Sequence, residues 1–129
     1  MTDLSTIVAA ERAIDIKHPA TDELVGLRLT ILPDTHPQVR AASRKLSNER
    51  LAGRGKLTAE KLEAGRIDML VASVGGWQWE GLTLDGETPE YSDANLRKVI
   101  KRFTWIGDQI DREVADRAEF FRGADQAAA

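Results

Sequence analysis

The sequence contains no cysteine, which excludes disulfides, thiolate metal sites and a cysteine nucleophile together. Long apolar runs are missing as well: no stretch approaches the roughly 20 apolar residues that span a bilayer. The short patch Ile7-Val8-Ala9-Ala10 lies between Asp3 and Glu11 and lacks the basic start and length of a secretion signal. A cytoplasmic protein is the expectation. There is no excess of positive charge either, and a formal net charge of -3 argues against a general nucleic-acid binder, because phosphate neutralisation dominates such binding. What is present is ordinary for a globular chain: 129 residues, 42% apolar and 30% charged, enough for one domain with a modest core and no internal repeat.

The pattern of apolar residues divides the chain. Ile14 and Ile16 alternate with Asp15 and Lys17, and Leu27, Leu29 and Ile31 alternate with Arg28 and Thr30, the period of half-buried strands. The turn cluster His18-Pro19-Ala20-Thr21-Asp22 between them completes a β-hairpin over 12–32. Pro33 to Pro37 closes the strands and opens a helix over about 37–52, capped by Asp34 or Thr35 and carrying Val39, Ala42 and Leu46 as a thin apolar stripe. Thr58 caps a second helix over 58–74, where Ile67, Leu70, Val71 and Val74 share a face and Gly75-Gly76 provides the stop. Trp77 to Pro89 reads as a small hairpin or a structured loop around Asp85-Gly86. Ser92 then caps a long helix over about 92–122, with Gly107 as a bend and the pairs Asp108 with Arg112 and Glu113 with Arg117 on its exposed side. Residues 1–11 are expected to be a flexible N-terminus and 123–129 a disordered tail.

Catalytic patterns are few and poor. His18 and His36 each precede a proline, match no zinc-ligand spacing and belong to no HExxH helix, so they read as turn histidines. Gly53-Arg54-Gly55-Lys56 departs from a phosphate-binding loop twice, with Arg50 where glycine is needed and Leu57 where serine or threonine is needed. Asp85 and Glu87 flank Gly86 as turn carboxylates, whereas general acid–base work needs a carboxyl tuned by burial or neighbours. A non-enzymatic protein without cofactor or metal is expected.

Features that suit binding are more numerous. Aromatics make up 5% of the chain, yet its three tryptophans, Trp77, Trp79 and Trp105, all lie in the second half. In an extended segment Trp77 and Trp79 share one side. They either plug the end of the core or present a ring to a partner, as tryptophan does at binding hot spots. Trp105 falls beside the apolar face of the last helix, within cation–π reach of Lys101 or Arg102. Arg40 and Arg44 project together from the first helix, followed by Lys45, Arg50, Arg54 and Lys56, and a second basic group, Arg97, Lys98, Lys101 and Arg102, crowds the start of the last helix against its dipole. Trp77, Trp79, Trp105, Arg40, Arg44, Lys101 and Arg102 are the candidate partner-binding residues.

The run Gly76-Trp77-Gln78-Trp79-Glu80-Gly81-Leu82-Thr83-Leu84-Asp85-Gly86-Glu87, followed by Pro89-Glu90-Tyr91-Ser92-Asp93-Ala94-Asn95-Leu96, resembles the tail assembly chaperones of long-tailed bacteriophages and prophages. In that family a tryptophan-containing stretch leads through an Asp-Gly turn and a Ser/Thr-x-x-Asn helix start into a long C-terminal helix. The hairpin with its His-Pro turn and the basic helices after it fit the same pattern, so the resemblance spans most of 12–121. It implies a chaperone that binds the apolar helices of the tape measure protein, helps recruit tail tube protein, and leaves before the tail is complete. Its partners would be those two proteins, with self-association kept open and membrane and nucleic acid set aside. The alternatives are a permanent virion component, such as a connector or tail-completion protein, and a small phage effector that binds a host protein. The fold expected is α+β and mainly α-helical, with the N-terminal hairpin packed on about three helices, the last one long.

Overall fold

The computed structural model describes residues 3–52, 58–116 and 118–121. The architecture is α+β: an antiparallel sheet at the N-terminal end of the fold covered on one face by helices. Strands β1 (Arg12–Lys17) and β2 (Leu24–Ile31) form the hairpin read from the alternation. Its turn is held by His18, whose backbone accepts from Asp22 at 2.9 Å and donates to Glu23 at 2.7 Å. The imidazole Nδ1 of His18 also accepts from the N–H groups of Ala20 and Thr21 at 3.0 and 3.3 Å. Asp22 takes the left-handed conformation, φ 64°, which aspartate tolerates better than most residues.

Helix α1 (Pro37–Ala52) occupies the range set by Pro37. Its cap is neither Asp34 nor Thr35. The carbonyl of His36 accepts the first helical bond from Arg40 at 3.0 Å, and its Nδ1 accepts from Gln38 N–H at 3.1 Å, so His36 is the N-cap residue. Both histidines thus serve as backbone acceptors at turns. Helix α2 (Ala59–Ala72) begins as expected, with Thr58 Oγ1 accepting from Lys61 N–H at 3.2 Å. The expected helix stop at Gly53 to Gly55 lies outside the described residues.

Beyond α2 the structure corrects the sequence reading. The helix ends at Ala72, and after the single residue Ser73 the chain enters a third strand, β3 (Val74–Trp79), paired antiparallel with β2. Gly75 and Gly76 are therefore strand residues rather than a helix stop. Gly75 sits at an irregularity of the ladder, where a Cβ would come within 2.9 Å of the Leu32 side chain. The sheet has the order β1-β2-β3, and across it Ile14, Leu29 and Trp77 form one cross-strand row. In the segment after β3 the Asp85-Gly86 turn is closed by the antiparallel bridge Leu84–Glu87, with reciprocal backbone bonds of 2.7 and 3.1 Å and positive φ at both turn residues, so the small hairpin is present as this one bridged pair and the rest of the segment is loop.

The C-terminal helix is also divided. Helix α3 (Asp93–Arg102) starts at Ser92, whose Oγ accepts from Asn95 N–H at 3.0 Å, and α4 (Thr104–Ala115) follows after a break at Phe103. Phe103 has φ -117° and ψ 79°, outside the helical region, so it separates two helices that both bury the same kind of apolar stripe. Gly107 does not bend the chain; it lies buried within α4, where a Cβ would stand 3.2 Å from Ile100. The expected pair Asp108–Arg112 is replaced by longer-range contacts. Arg66 of α2 bonds Asp108 at 3.0 Å and approaches Asp111 at 3.5 Å, while Glu113 binds Arg12 of β1. Arg117 and the tail 123–129 lie outside the described residues.

The core lies between sheet and helices. Ile16, Leu29, Ile31, Val74, Leu96 and Ile110 are fully enclosed, and each such side chain stabilises the fold by roughly 1.5–3 kcal/mol through burial. Helices α2 and α4 lie against the sheet, α3 packs on both, and α1 leans on α2. At the N-terminus Leu4–Thr6 form a single 3-10 turn capped by Asp3, Ala9 packs on the core, and Ala10 N–H donates to Phe120 O at 3.1 Å.

Candidate partner-binding surface

Four elements position the candidate side chains: α1 carries Arg40 and Arg44, β3 Trp77 and Trp79, α3 Lys101 and Arg102, and α4 Trp105. Trp77 and Trp79 lie opposite Leu29 and Leu27 in the β2–β3 ladder, so both project to the core side of the sheet. They are half-buried and pack on the core; their rings meet edge to face at 5.4 Å, and Trp77 meets Tyr91 in the same way at 5.6 Å. Of the two roles open to them, the geometry places them in the plug of the core, as an aromatic corner between β3 and the loop that follows. The Trp79 Nε1 is buried without a hydrogen-bond partner among the described residues, so packing alone holds that ring.

Tyr91 closes this corner. Its hydroxyl donates to Val74 O at 2.8 Å and ties the start of α3 to the start of β3. Burial, assisted by the nearby Asp93, raises the phenol above its ordinary pKa. Replacing Tyr91 by Phe keeps the ring against Trp77 and removes one partly buried hydrogen bond. The expected cost is about 1 kcal/mol in chemical denaturation, with the near-ultraviolet dichroism of the tryptophans retained.

Trp105 is half-buried on α4 and lines an open cleft of about 370 Å³ with Lys17, His18, Asp22 and Arg112. It meets Phe103 edge to face at 6.1 Å. The cation–π contact expected at Trp105 is made at Phe103 instead, where the Arg102 guanidinium stands 5.2 Å from the ring centre. The break at Phe103 also changes the meaning of the second basic group. Lys101 and Arg102 occupy the last turn of α3, where the helix dipole favours cations rather than opposing them. Arg102 bonds Asp85 at 2.8 and 3.3 Å and holds that carboxyl below its ordinary value of 3.8, while Arg97 bonds Asp68 at 2.6 Å. A lowered carboxyl in a solvated turn is the reverse of what a general acid needs. The contact it marks is complete only above that ordinary value and is lost as pH falls through the lowered one.

Arg40 and Arg44 stand apart from this pattern. Arg12, Arg28, Arg66, Arg97 and Arg102 each bind a carboxylate, whereas Arg40, Arg44, Lys45 and Arg50 have no ion pair among the described residues. Arg40 and Arg44 are exposed and share a stripe of α1 with Leu51, which is 86% exposed at the end of the helix. With Asp34 and Ser43 they rim a hollow of about 460 Å³ that also includes Val39 and Met69. Leu62 of α2, 46% exposed, lies in the next helix near the same end of the α1–α2 pair. A rim with two arginines against one carboxylate, beside the apolar Val39 and Met69, can accept an apolar side chain from a segment that carries acidic neighbours.

Sequence reasoning found the two arginines but could not see that, unlike Arg97 and Arg102, they have no ion pair among the described residues. Among the described residues no three His, Cys, Asp or Glu side chains gather as metal ligands, and no helix is long and apolar enough to cross a membrane. No known protein family, curated protein or solved structure matches the chain.

Proposed function

We propose that this chain is a non-enzymatic assembly chaperone of the phage tail kind, which holds an aggregation-prone helical client on its α1 face. The observation that carries the reading is the stripe Arg40, Arg44 and Leu51 beside a hollow that includes Val39 and Met69, its two arginines without an ion pair among the described residues, on a helix that buries little of itself. An amphipathic client helix with acidic residues beside its apolar face fits such a groove. The resemblance of the Trp-x-Trp to Asn95 stretch supports the same reading and supplies the client, the tape measure protein, with tail tube protein as the second partner. Lys101 and Arg102 add less to it, because Arg102 is engaged with Asp85 and Phe103.

The test is a double charge reversal, Arg40→Glu with Arg44→Glu. Both side chains are exposed and unpaired among the described residues, so folding stability should change by no more than about 0.5 kcal/mol. Client capture in a pull-down should be lost. A variant that folds and captures the client as well as the unaltered chain removes α1 from the mechanism. The virion-component alternative is separated by purified particles: a chaperone is absent from them, and a connector is present at fixed copy number.

A further inference from the structure

The two outer strands of the sheet are finished differently. Along β1 the side chain of Gln109 stands in for a neighbouring strand: its Nε2 donates to Lys17 O at 2.8 Å, and its Oε1 accepts from Lys17 N–H at 2.9 Å. Arg12 on the same strand is tied to Glu113, and Ala10 just before it bonds Phe120 O. Helix α4 and the residues after it therefore close that edge.

Strand β3 is covered only at its first residue, where Val74 O accepts from Gln38 Nε2 at 3.3 Å and from the Tyr91 hydroxyl at 2.8 Å; from Trp77 to Trp79 no such side chain stands in among the described residues. The bond from Glu80 N–H to Gly26 O, 2.7 Å, fixes the phase of the β2–β3 ladder. Alternation then makes Arg28–Gln78 and Thr30–Gly76 the hydrogen-bonded pairs, and Leu27–Trp79 and Leu29–Trp77 the pairs that do not bond each other. The N–H and C=O groups of Trp77 and Trp79 consequently point away from β2. The loop that follows bonds Leu84 with Glu87 and Asn95 with Glu90, and reaches β3 only at Val74 through Tyr91; none of these bonds reaches those four groups among the described residues. The strand itself, Val-Gly-Gly-Trp-Gln-Trp, carries no charge and no proline, the devices that normally guard an open edge.

We infer that β3 is the interface of a two-fold dimer of this chain, in which two β3 strands pair antiparallel and join two three-stranded sheets into one. Charge selects a second copy as the occupant. An acidic or basic segment would find no counter-charge on this strand, whereas two uncharged edges meet without repulsion even though each chain carries a net charge of -3. With the axis at Trp77, the outward-bonding residue Trp77 pairs with its own counterpart and Gly75 faces Trp79. On the open face of the sheet Gly76 stands across from Gln78. The contact is isologous, so it closes at two copies and does not propagate. It uses a different part of the molecule from the α1 stripe and does not depend on the client.

Lysines at positions 76 and 78 test the pairing. A Cβ at Gly76 would meet nothing within 4 Å, and Gln78 is exposed, so Gly76→Lys with Gln78→Lys leaves the monomer intact. In the dimer it sets lysine against lysine twice. Sedimentation equilibrium of the unaltered chain should show mass rising with concentration from 14.2 kDa to twice that value. The double-lysine variant should stay at the lower mass with an unchanged thermal midpoint, and mixing it with Gly76→Glu/Gln78→Glu should restore a heterodimer. Hydrogen exchange should show the Trp77 and Trp79 amides protected only in the dimer. An unaltered chain that remains monomeric from micromolar to millimolar concentration overturns the inference, whether or not the edge captures a foreign peptide. So does a double-lysine variant that dimerises as readily as the parent.

Discussion

Gly26→Ala should lower the stability of the protein by roughly 3–5 kcal/mol, combining the strain of a disfavoured backbone region with a lost sheet bond and forced separation of two strands. Gly26 has φ +100°, a conformation that alanine rarely adopts, and an added Cβ would lie 2.2 Å from the carbonyl oxygen of Glu80. That oxygen is backbone and cannot rotate away. Relief requires β2 and β3 to part at the position where Glu80 N–H bonds Gly26 O. In a domain of this size a loss of that order lowers the thermal midpoint by about 10–20 °C, read by far-ultraviolet dichroism. Gly76→Ala is the matched control, since nothing stands within 4 Å of its added Cβ. Equal midpoints for the two variants would contradict the ladder described for β3.

Leu29→Ala should cost about 3–4 kcal/mol. Leu29 is fully buried at the centre of the middle strand, with Ile14 beside it on β1 and Trp77 on β3. Both neighbours are fixed by their own ladders, so they cannot close over the space left by the lost methyl groups, and the cavity term is felt in full. The Trp77 ring loses a wall, so tryptophan fluorescence and near-ultraviolet dichroism should change in the folded state as well as at the midpoint. Leu51→Ala, at a leucine 86% exposed, should leave both unchanged. A loss below 1 kcal/mol for Leu29→Ala would place that residue outside the core.

The parts of the fold legible in the sequence are those set by local chemistry. Alternation marked β1 and β2, Pro37 placed the start of α1, and Thr58 and Ser92 cap helices because their hydroxyls accept from the third residue along. What was not legible depends on distant partners. Val74 continues the helical spacing of Ile67, Leu70 and Val71, so it reads as helix; only pairing with Ile31 makes it a strand residue. Phe103 keeps the period of Val99 and Ile106, and without glycine or proline there the break leaves no local mark. His36 was missed as a cap because the usual capping residues, Asp34 and Thr35, precede it. The same division holds for the candidate surface. Spacing alone put Arg40 and Arg44 together, but their distinction from Arg97 and Arg102 rests on Asp68 and Asp85, which only folding brings within reach.

The charge-reversed α1 variant also gives the most direct test of the proposed role. The tape measure protein is co-expressed alone, with this chain, and with the Arg40→Glu/Arg44→Glu form, and its soluble fraction is measured after lysis. The account predicts a client that is insoluble alone, soluble with the unaltered chain, and insoluble again with the variant. A client equally soluble in all three would contradict it.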